Sequence, residues 1–242
     1  MSYIFREHIK QSLAVIAFLI TLTACTSESY DAGDGPNSNL TADLVLLHTS
    51  QDKSVRSALL DDGTTLQFSN PFAQDWLTRP DSVYRALLYY DKTVAASDAA
   101  ASNPTATSIV RARSVRPVSV LRPVEAEDME TLRTDPVGFE SLWLSKNKSY
   151  INLSLLLKSG KTEADDAMHA LGIVSHGTTT DADRRRTLHL TLYHDQGGVP
   201  AYYTVQQYVS IPTQLLEEAD TVELTLNTYN GKKVVKVAVS NL

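Results

Sequence analysis

The feature that most constrains the fold is the alternation of apolar residues in short runs. Apolar side chains recur at every second position in three segments: 151, 153, 155 and 157; 222, 224 and 226; and 235, 237 and 239. Successive side chains of a β-strand point to opposite faces, so each segment predicts a strand with one buried face. The last two segments flank Asn230-Gly231, a pair that favours a two-residue hairpin turn.

The first half of the folded region contains five further runs with strand character. They are Leu40–Thr49, Val55–Leu60, Thr64–Phe68, Ser82–Asp91 and Ser108–Leu121. A tight hairpin is expected at Asp61-Asp62-Gly63, a strand end at Asn70-Pro71, one helical turn at Phe72–Leu77 and a loop at Ala95–Thr107. Five strands with a loop before the last are typical of a small OB-type barrel, which we place at residues 40–122.

The second half is also predicted to be all-β. A linker is expected at residues 123–135, where Glu125, Glu127, Asp128 and Glu130 cluster between prolines. Seven candidate strands follow: Phe139–Leu144, Tyr150–Lys158, Met168–His176, Thr187–Tyr193, Tyr202–Ile211, Thr221–Tyr229 and Lys232–Ser240. Two such sheets packed face to face make an immunoglobulin-like β-sandwich, which we place at residues 136–242. Trp143 is expected to fill its core.

The first 24 residues have a different character. Arg6 and Lys10 precede an uncharged apolar run, Leu13–Ala24. As a helix this run would span about 18 Å, short of the ~30 Å hydrocarbon core of a bilayer. It therefore predicts a signal-peptide core over residues 1–24 and not a permanent membrane span.

The end of that run resembles a lipobox. Leu22-Thr23-Ala24-Cys25 has an aliphatic residue, two small residues and then the cysteine whose thiol takes the lipid. We expect cleavage before Cys25, lipid attachment to Cys25, and a flexible acidic tether over residues 25–39, which are rich in Ser, Gly, Asn and Asp. The expected location is the cell envelope, anchored by lipid to the outer membrane and facing the periplasm or the cell surface.

Cysteine content and charge exclude several classes of function. Cys25 is the only cysteine, so a disulfide, a zinc ribbon, an iron–sulfur cluster and a cysteine nucleophile are not expected in the mature chain. The formal net charge is −6. An acidic chain of this kind argues against nucleic acid as a partner.

Several segments together resemble the NigD-like lipoproteins of Bacteroidota. They are the lipobox cysteine, Leu59-Leu60-Asp61-Asp62-Gly63-Thr64-Thr65-Leu66, Val83-Tyr84-Arg85-Ala86-Leu87-Leu88-Tyr89-Tyr90, Trp143 with Tyr150-Ile151-Asn152-Leu153, and Leu226-Asn227-Thr228-Tyr229-Asn230-Gly231. The resemblance implies an OB-type domain followed by a β-sandwich, which agrees with the division above. It also implies a role connected with bacteriocin immunity, and it supplies no catalytic residues.

No pattern of catalytic or metal-binding residues stands out. His48, His169, His176, His189 and His194 show no recognised metal-ligand spacing, and His189 and His194 are expected on opposite faces of one strand. The sequence has no Gly-x-Ser-x-Gly elbow and no phosphate-binding glycine loop. We therefore expect no cofactor, no metal and no enzymatic activity.

Two groups of side chains are the candidate binding residues. Arg111 and Arg113 share one face of the last barrel strand, where they either contact a ligand or protect a sheet edge. Tyr202 and Tyr203 are adjacent, so at least one should face outward and could contact protein or glycan. The leading hypothesis is a non-catalytic, lipid-anchored protein that binds a protein or peptide; the alternatives are a glycan-binding accessory protein and a hydrolase with an unrecognised site.

Overall fold

The computed structural model describes residues 40–92, 108–161, 167–216 and 219–239, and it confirms the all-β prediction. The predicted signal peptide, Cys25 and the tether lie outside the described residues. Within the described ranges, no helix is long and apolar enough to cross a membrane.

The first five strands close into a barrel. They are β1 (Leu40–Thr49), β2 (Val55–Leu60), β3 (Thr65–Phe72), β4 (Val83–Lys92) and β5 (Ser108–Pro117). The order around the barrel is β1-β2-β3-β5-β4, with β3 and β5 parallel and β1 paired with β4 to close it. The hairpin predicted at Asp61-Asp62-Gly63 is present. Its turn requires a positive φ, and Gly63 has a φ of 90°.

The side chains inside the barrel come from alternate positions of its strands. On β4, Ala86, Leu88 and Tyr90 are buried in this core, together with Val45 and Leu47 of β1. The intervening residues of β4 therefore point out of the barrel. That outward face becomes important below, because it meets the second half of the chain.

The third strand is longer than predicted, since it continues through Pro71 to Phe72. Proline lacks the backbone N–H that a ladder needs. Next to Pro71, the Asn70 side chain makes the hydrogen bonds to β5. Its Nδ2 donates to the Ala112 carbonyl oxygen, and its Oδ1 accepts from the Ala112 N–H, both at 3.1 Å. The helical turn expected at Phe72–Leu77 was wrong; this segment holds only a hydrogen-bonded turn, from the Leu77 N–H to the Gln74 carbonyl.

Nine strands build the sandwich. They are β6 (Ser119–Val120), β7 (Pro123–Glu125), β8 (Gly138–Leu144), β9 (Tyr150–Ser159), β10 (Ala170–Thr180), β11 (Arg186–Asp195), β12 (Tyr203–Pro212), β13 (Thr221–Thr228) and β14 (Gly231–Ala238). One sheet has the order β14-β13-β11-β10-β7 and the other has the order β6-β12-β9-β8. Short 3-10 turns occur at Ala126–Asp128 and Thr213–Leu215.

The sandwich core is filled by the alternating residues that the sequence singled out. Ile151, Leu153, Leu155 and Leu157 of β9 face Leu188, Leu190 and Leu192 of β11, with Val222, Leu224 and Leu226 of β13 alongside. Each is at most 3% exposed. Full burial of a leucine or isoleucine side chain contributes roughly 1.5–3 kcal/mol, so this core is the main source of stability.

The connection between barrel and sandwich differs from the expected linker. Ser119 and Val120 of β6 pair in parallel with Val209 and Ser210 of β12 in one sheet. Pro123–Glu125, which the sequence places in the linker, pair in parallel with β10 in the other sheet. The chain thus enters both sheets of the sandwich within seven residues, Ser119 to Glu125, and its crossing is part of the sheet structure.

Candidate functional site

Barrel and sandwich meet through a small apolar patch. Leu44 of β1, Leu87 of β4 and Val118 are buried together, and Tyr89, Trp143 and Tyr208 pack against them. Trp143 therefore does not fill the sandwich core as expected. In the β8–β9 register Leu142 pairs with the core residue Leu153, and Trp143 pairs with Asn152 on the outer face. The period of two places the tryptophan against the barrel.

Beside this patch lies a buried network centred on Arg85. Its guanidinium makes two parallel contacts with the Asp61 carboxylate, Nη1 to Oδ1 at 2.5 Å and Nη2 to Oδ2 at 2.7 Å. Nη2 also donates to Asn152 Oδ1 at 3.0 Å, and Nε donates to Ser210 Oγ at 3.1 Å. The Arg85 side chain is 1% exposed, so the barrel inserts a charged group against the sandwich.

The partners of Arg85 are themselves hydrogen-bonded. Asn152 donates to Asp61 Oδ2 at 3.1 Å, and Ser210 donates to Asn152 Oδ1 at 2.7 Å. The guanidinium carbon lies 4.4 Å from the centre of the Tyr150 ring, close enough for a cation–π contact. A buried arginine is tolerated when its donors and its charge are satisfied in this way.

An open cavity of about 380 Å³ adjoins the patch, and we call it the inter-domain groove. The barrel contributes residues of β1, β4 and the β2–β3 hairpin, and the sandwich contributes β8, the turn after it and Tyr208 of β12. Ligand sites occur preferentially where two structural units meet. The groove is therefore the strongest candidate for a functional site among the described residues.

Aromatic rings form one wall of the inter-domain groove. Trp143 and Tyr208 stand edge to face, with centroids 6.4 Å apart and planes at 83°, and Tyr89 completes the wall from the barrel. All three rings are half-buried, so each packs on one side and leaves surface for a ligand on the other. Such rings provide large contact areas at low entropic cost.

Charged groups of both signs border the groove, with carboxylates in excess. Asp43, Asp61 and Asp62 line it, together with Lys146. Asp43 accepts a hydrogen bond from the Tyr90 hydroxyl at 2.8 Å, and burial together with that carboxylate raises the pKa of Tyr90. Partial burial raises the pKa of Asp62, but hydrogen bonds from Thr64 and the charge of Lys146 outweigh it, so the pKa lies below its usual value. A low pKa suits a charged contact and not a general acid.

Two of the histidines contact each other. His194 and His169 stack on each other, with His169 Nδ1 and His194 Nε2 3.0 Å apart, and His194 Nδ1 lies 3.0 Å from the Asp135 carbonyl oxygen. His189 lies on the opposite face of β11 against Glu223, at 3.2 Å. In the parts of the chain that the structure describes, no cluster of three metal-binding side chains occurs.

The candidate binding residues from the sequence lie away from the groove lining. Arg111 and Arg113 are exposed on β5. This part of β5 pairs with β4, whereas the pairing of β5 with β3 ends at Val110. Arg113 forms an ion pair with Asp91 at 2.5 Å. Tyr202 and Tyr203 are 78% and 51% exposed at the start of β12. Both tyrosines face solvent, although alternation requires only one to do so.

The sequence reasoning did not single out Arg85, Asn152 or Ser210. Their shared burial depends on contacts between segments that are up to 125 residues apart. One signal was present: Asp61, Arg85, Trp143, Tyr150 and Asn152 all lie in the segments that carry the family resemblance. The structure brings these five residues together at the boundary between barrel and sandwich.

A comparison with known protein families identifies the sandwich half of the chain. Residues 120–239 match the sequence model of the NigD-like C-terminal beta sandwich domain. The chain belongs to the NigD-like family. The match begins at residue 120. The NigD-like domain therefore includes β7 and the rest of the acidic segment at residues 123–135, in addition to strands β8 to β14. No curated protein matches the chain.

Solved structures from Bacteroides share the fold of this NigD-like protein. A NigD-like immunity protein from Bacteroides caccae is 22% identical with a TM-score of 0.60, covering 82% of this chain and 92% of that one. A protein of unknown function from Bacteroides vulgatus is 16% identical with a TM-score of 0.57, covering 82% and 90%. A candidate lipoprotein from Bacteroides fragilis is 13% identical with a TM-score of 0.57, covering 84% and 98%. At these identities the likeness concerns the fold.

Proposed function

We propose that this NigD-like protein is a non-catalytic, lipid-anchored protein of the cell envelope that binds a peptide or protein in the inter-domain groove. The observation that carries the proposal is the groove itself. It lies at the junction of barrel and sandwich, and it combines an aromatic wall with an acidic border. Concave sites with apolar walls and a few placed polar groups are where proteins bind ligands.

The composition of the groove favours a particular kind of ligand. Trp143, Tyr208 and Tyr89 offer surface for apolar side chains, while Asp43 and Asp62 outnumber Lys146 at the border. A peptide segment that carries apolar and basic side chains complements both features. An antibacterial peptide of this composition would fit the immunity role that is attributed to the Bacteroides caccae relative by its name.

The lipid anchor is supported by the lipobox at Cys25 and by the likeness in fold to a candidate lipoprotein. Metabolic labelling with an alkyne-bearing fatty acid tests it. Wild-type protein should take up label and remain in the membrane fraction, whereas the Cys25→Ser variant should lose the label. A labelled C25S protein would refute attachment at this residue.

The immunity version is tested by deleting the gene and exposing the cells to a panel of bacteriocins. We expect the deletion strain to become more sensitive to at least one of them, and the wild-type gene to restore resistance. Unchanged sensitivity across the panel would argue against immunity.

The role of the groove is tested in the same complementation experiment. Tyr208→Ala and Asp62→Asn should fail to restore resistance, since they remove part of the aromatic wall and one border charge. The matched control is Tyr202→Ala, which removes an exposed tyrosine that directly precedes β12 and lies outside the groove lining. Equal resistance in all three variants would show that the groove is not the site.

A further inference from the structure

A second cavity, of about 440 Å³, lies between strand β8 and the β13–β14 hairpin. Its lining includes Val137, Phe139 and Leu156 as an apolar floor, with Tyr229, Lys232 and Lys233 around them. No carboxylate belongs to this lining among the described residues. Within the described part of the chain, the charged residues of this lining are therefore Lys232 and Lys233 alone.

The ammonium groups at this cavity are held without being neutralised. Lys233 Nζ lies 4.8 Å from the centre of the Phe139 ring, and Lys158 Nζ lies 5.8 Å from the centre of the Tyr229 ring. Lys158 Nζ also donates to the Thr204 hydroxyl at 3.0 Å. A ring or a hydroxyl orients a cation but carries no net charge, so both ammonium groups keep their charge for a ligand.

Two charged residues near this cavity have polar or charged partners among the described residues, unlike Lys232 and Lys233. Lys236, on the same strand β14, pairs with Glu223 at 2.8 Å, and this ion pair is the first cause of the lowered pKa of Glu223. Glu140, next to Phe139, instead accepts hydrogen bonds from Ser154 at 2.6 Å and from Gln206 at 2.5 Å. Neither Lys232 nor Lys233 forms an ion pair with a carboxylate in the described ranges.

An exposed tyrosine lies at the same cavity. Tyr229 is 44% exposed, belongs to the cavity lining and lies beside Lys158. We call Lys158, Lys232, Lys233 and Tyr229 the basic end of the sandwich.

We propose that the basic end is a second binding site, separate from the inter-domain groove, for an acidic polysaccharide whose sugars carry carboxylates. Carboxylates pair with the uncompensated ammonium groups. The apolar faces of sugar rings pack on tyrosine rings, which combine an apolar face with a hydrogen-bonding hydroxyl. An exposed ring with ammonium groups beside it suits a polymer whose sugar rings each carry a carboxylate.

An anionic bilayer fits this site less well. The apolar floor is recessed within a cavity, which a flexible sugar chain can enter and a lipid surface cannot. Simple protection of the β14 edge by lysines would account for exposed charges, but it does not require ammonium groups placed on aromatic rings.

The experiment measures binding of the full-length protein, in a neutral detergent, to polygalacturonate at low and high salt. Fully methyl-esterified polygalacturonate is the matched ligand, since esterification removes the charge and keeps the sugars. A separate lipid arm, without detergent, compares vesicles of phosphatidylglycerol with vesicles of phosphatidylcholine. We expect binding to polygalacturonate that weakens as salt increases, and no binding to the methyl ester. Because the proposed lipid anchor inserts into either bilayer, we expect equal association with the two kinds of vesicle.

Variants locate the site. The double variant Lys232→Gln/Lys233→Gln should weaken polygalacturonate binding about tenfold, and Tyr229→Ala about fivefold, at an unchanged melting temperature. The control is Lys236→Gln, which removes one positive charge on the same strand, at a lysine that Glu223 already neutralises. It should bind within about twofold of wild type, whereas Lys233→Gln alone, which makes the same change of charge, should bind more weakly than that.

Three results would overturn the proposal: no binding to polygalacturonate at low salt, equal binding of the methyl ester, or equal losses in the Lys236 and Lys232/Lys233 variants. Stronger association with phosphatidylglycerol than with phosphatidylcholine vesicles, without binding to polygalacturonate, would also overturn it, in favour of a membrane contact. Tyr208→Ala separates the two proposals, since it alters the inter-domain groove and should leave polygalacturonate binding unchanged.

Discussion

At the scale of single residues, Arg85 has the greatest structural consequence. We expect Arg85→Ala to lower the free energy of unfolding by about 3–5 kcal/mol, because it leaves Asp61, Asn152 and Ser210 without their shared donor in a buried site. The matched change is Arg113→Ala, which breaks an ion pair whose arginine is 42% exposed and should cost about 1 kcal/mol or less. Urea unfolding of both variants measures the difference. Equal losses of unfolding free energy in the two variants would mean that burial of the Arg85–Asp61 pair adds nothing to its contribution to stability.

His169 gives a prediction about pH. Burial first, and then the neighbouring His194, lower the pKa of His169 below its ordinary value of 6.5, and its Nε2 is buried without a hydrogen-bond partner among the described residues. Between that lowered pKa and about 6.5, the unfolded chain binds more protons than the folded chain, so stability is full above this window and decreases as pH falls through it.

The test compares urea unfolding of wild type and His169→Gln between about pH 5 and pH 8. The variant should lose part of the decrease in stability on acidification. Carboxylates with lowered pKa, such as Glu140 and Glu223, have an ordinary pKa of 4.5, so their contribution changes below the pH range of this test. Parallel profiles for the two proteins would exclude His169 as a source of the pH dependence.

At the scale of elements, the loop between β11 and β12 is sensitive to a single methyl group. Gly197 has a φ of +58°, and a Cβ there would lie 2.1 Å from the Met168 carbonyl oxygen. Gly63 in the β2–β3 hairpin has a φ of +90° with no atom within 4 Å of such a Cβ. We expect Gly63→Ala to cost about 1–2 kcal/mol from backbone strain alone, and Gly197→Ala to cost clearly more, since backbone must move. Thermal unfolding of the two variants checks this order; the reverse order would contradict it.

The elements also show what the sequence could predict. The bounds of β1 and β2 follow from the sequence, because alternation and the adjacent turn residues are local signals. Strands β6 and β7 do not, since they have two and three residues and pair in parallel with strands that come later in the chain. The groove was missed for the same reason: nothing near Arg85 or Trp143 in the sequence indicates that they meet across two sheets.

At the scale of the whole molecule, barrel and sandwich should unfold together. The buried Arg85 network and the apolar patch of Leu44, Leu87 and Val118 join them, and β6 ties the connection into the sandwich. We expect one calorimetric transition whose measured and van't Hoff enthalpies agree. Leu87→Asp, which places a charge in the patch, should separate two transitions. Two transitions in the wild-type protein would show that the halves are independent.

The connection through β6 has a consequence for how the chain is made. A polypeptide leaves the ribosome from its N-terminus onward. The barrel sequence is complete at Pro117, but β6 can pair only after β12, which begins at Tyr203, has been made, and Arg85 can bond Ser210 only then. During synthesis, therefore, all strands of the barrel are present before the sandwich that fixes its orientation, and the inter-domain groove forms only when the last part of the chain arrives.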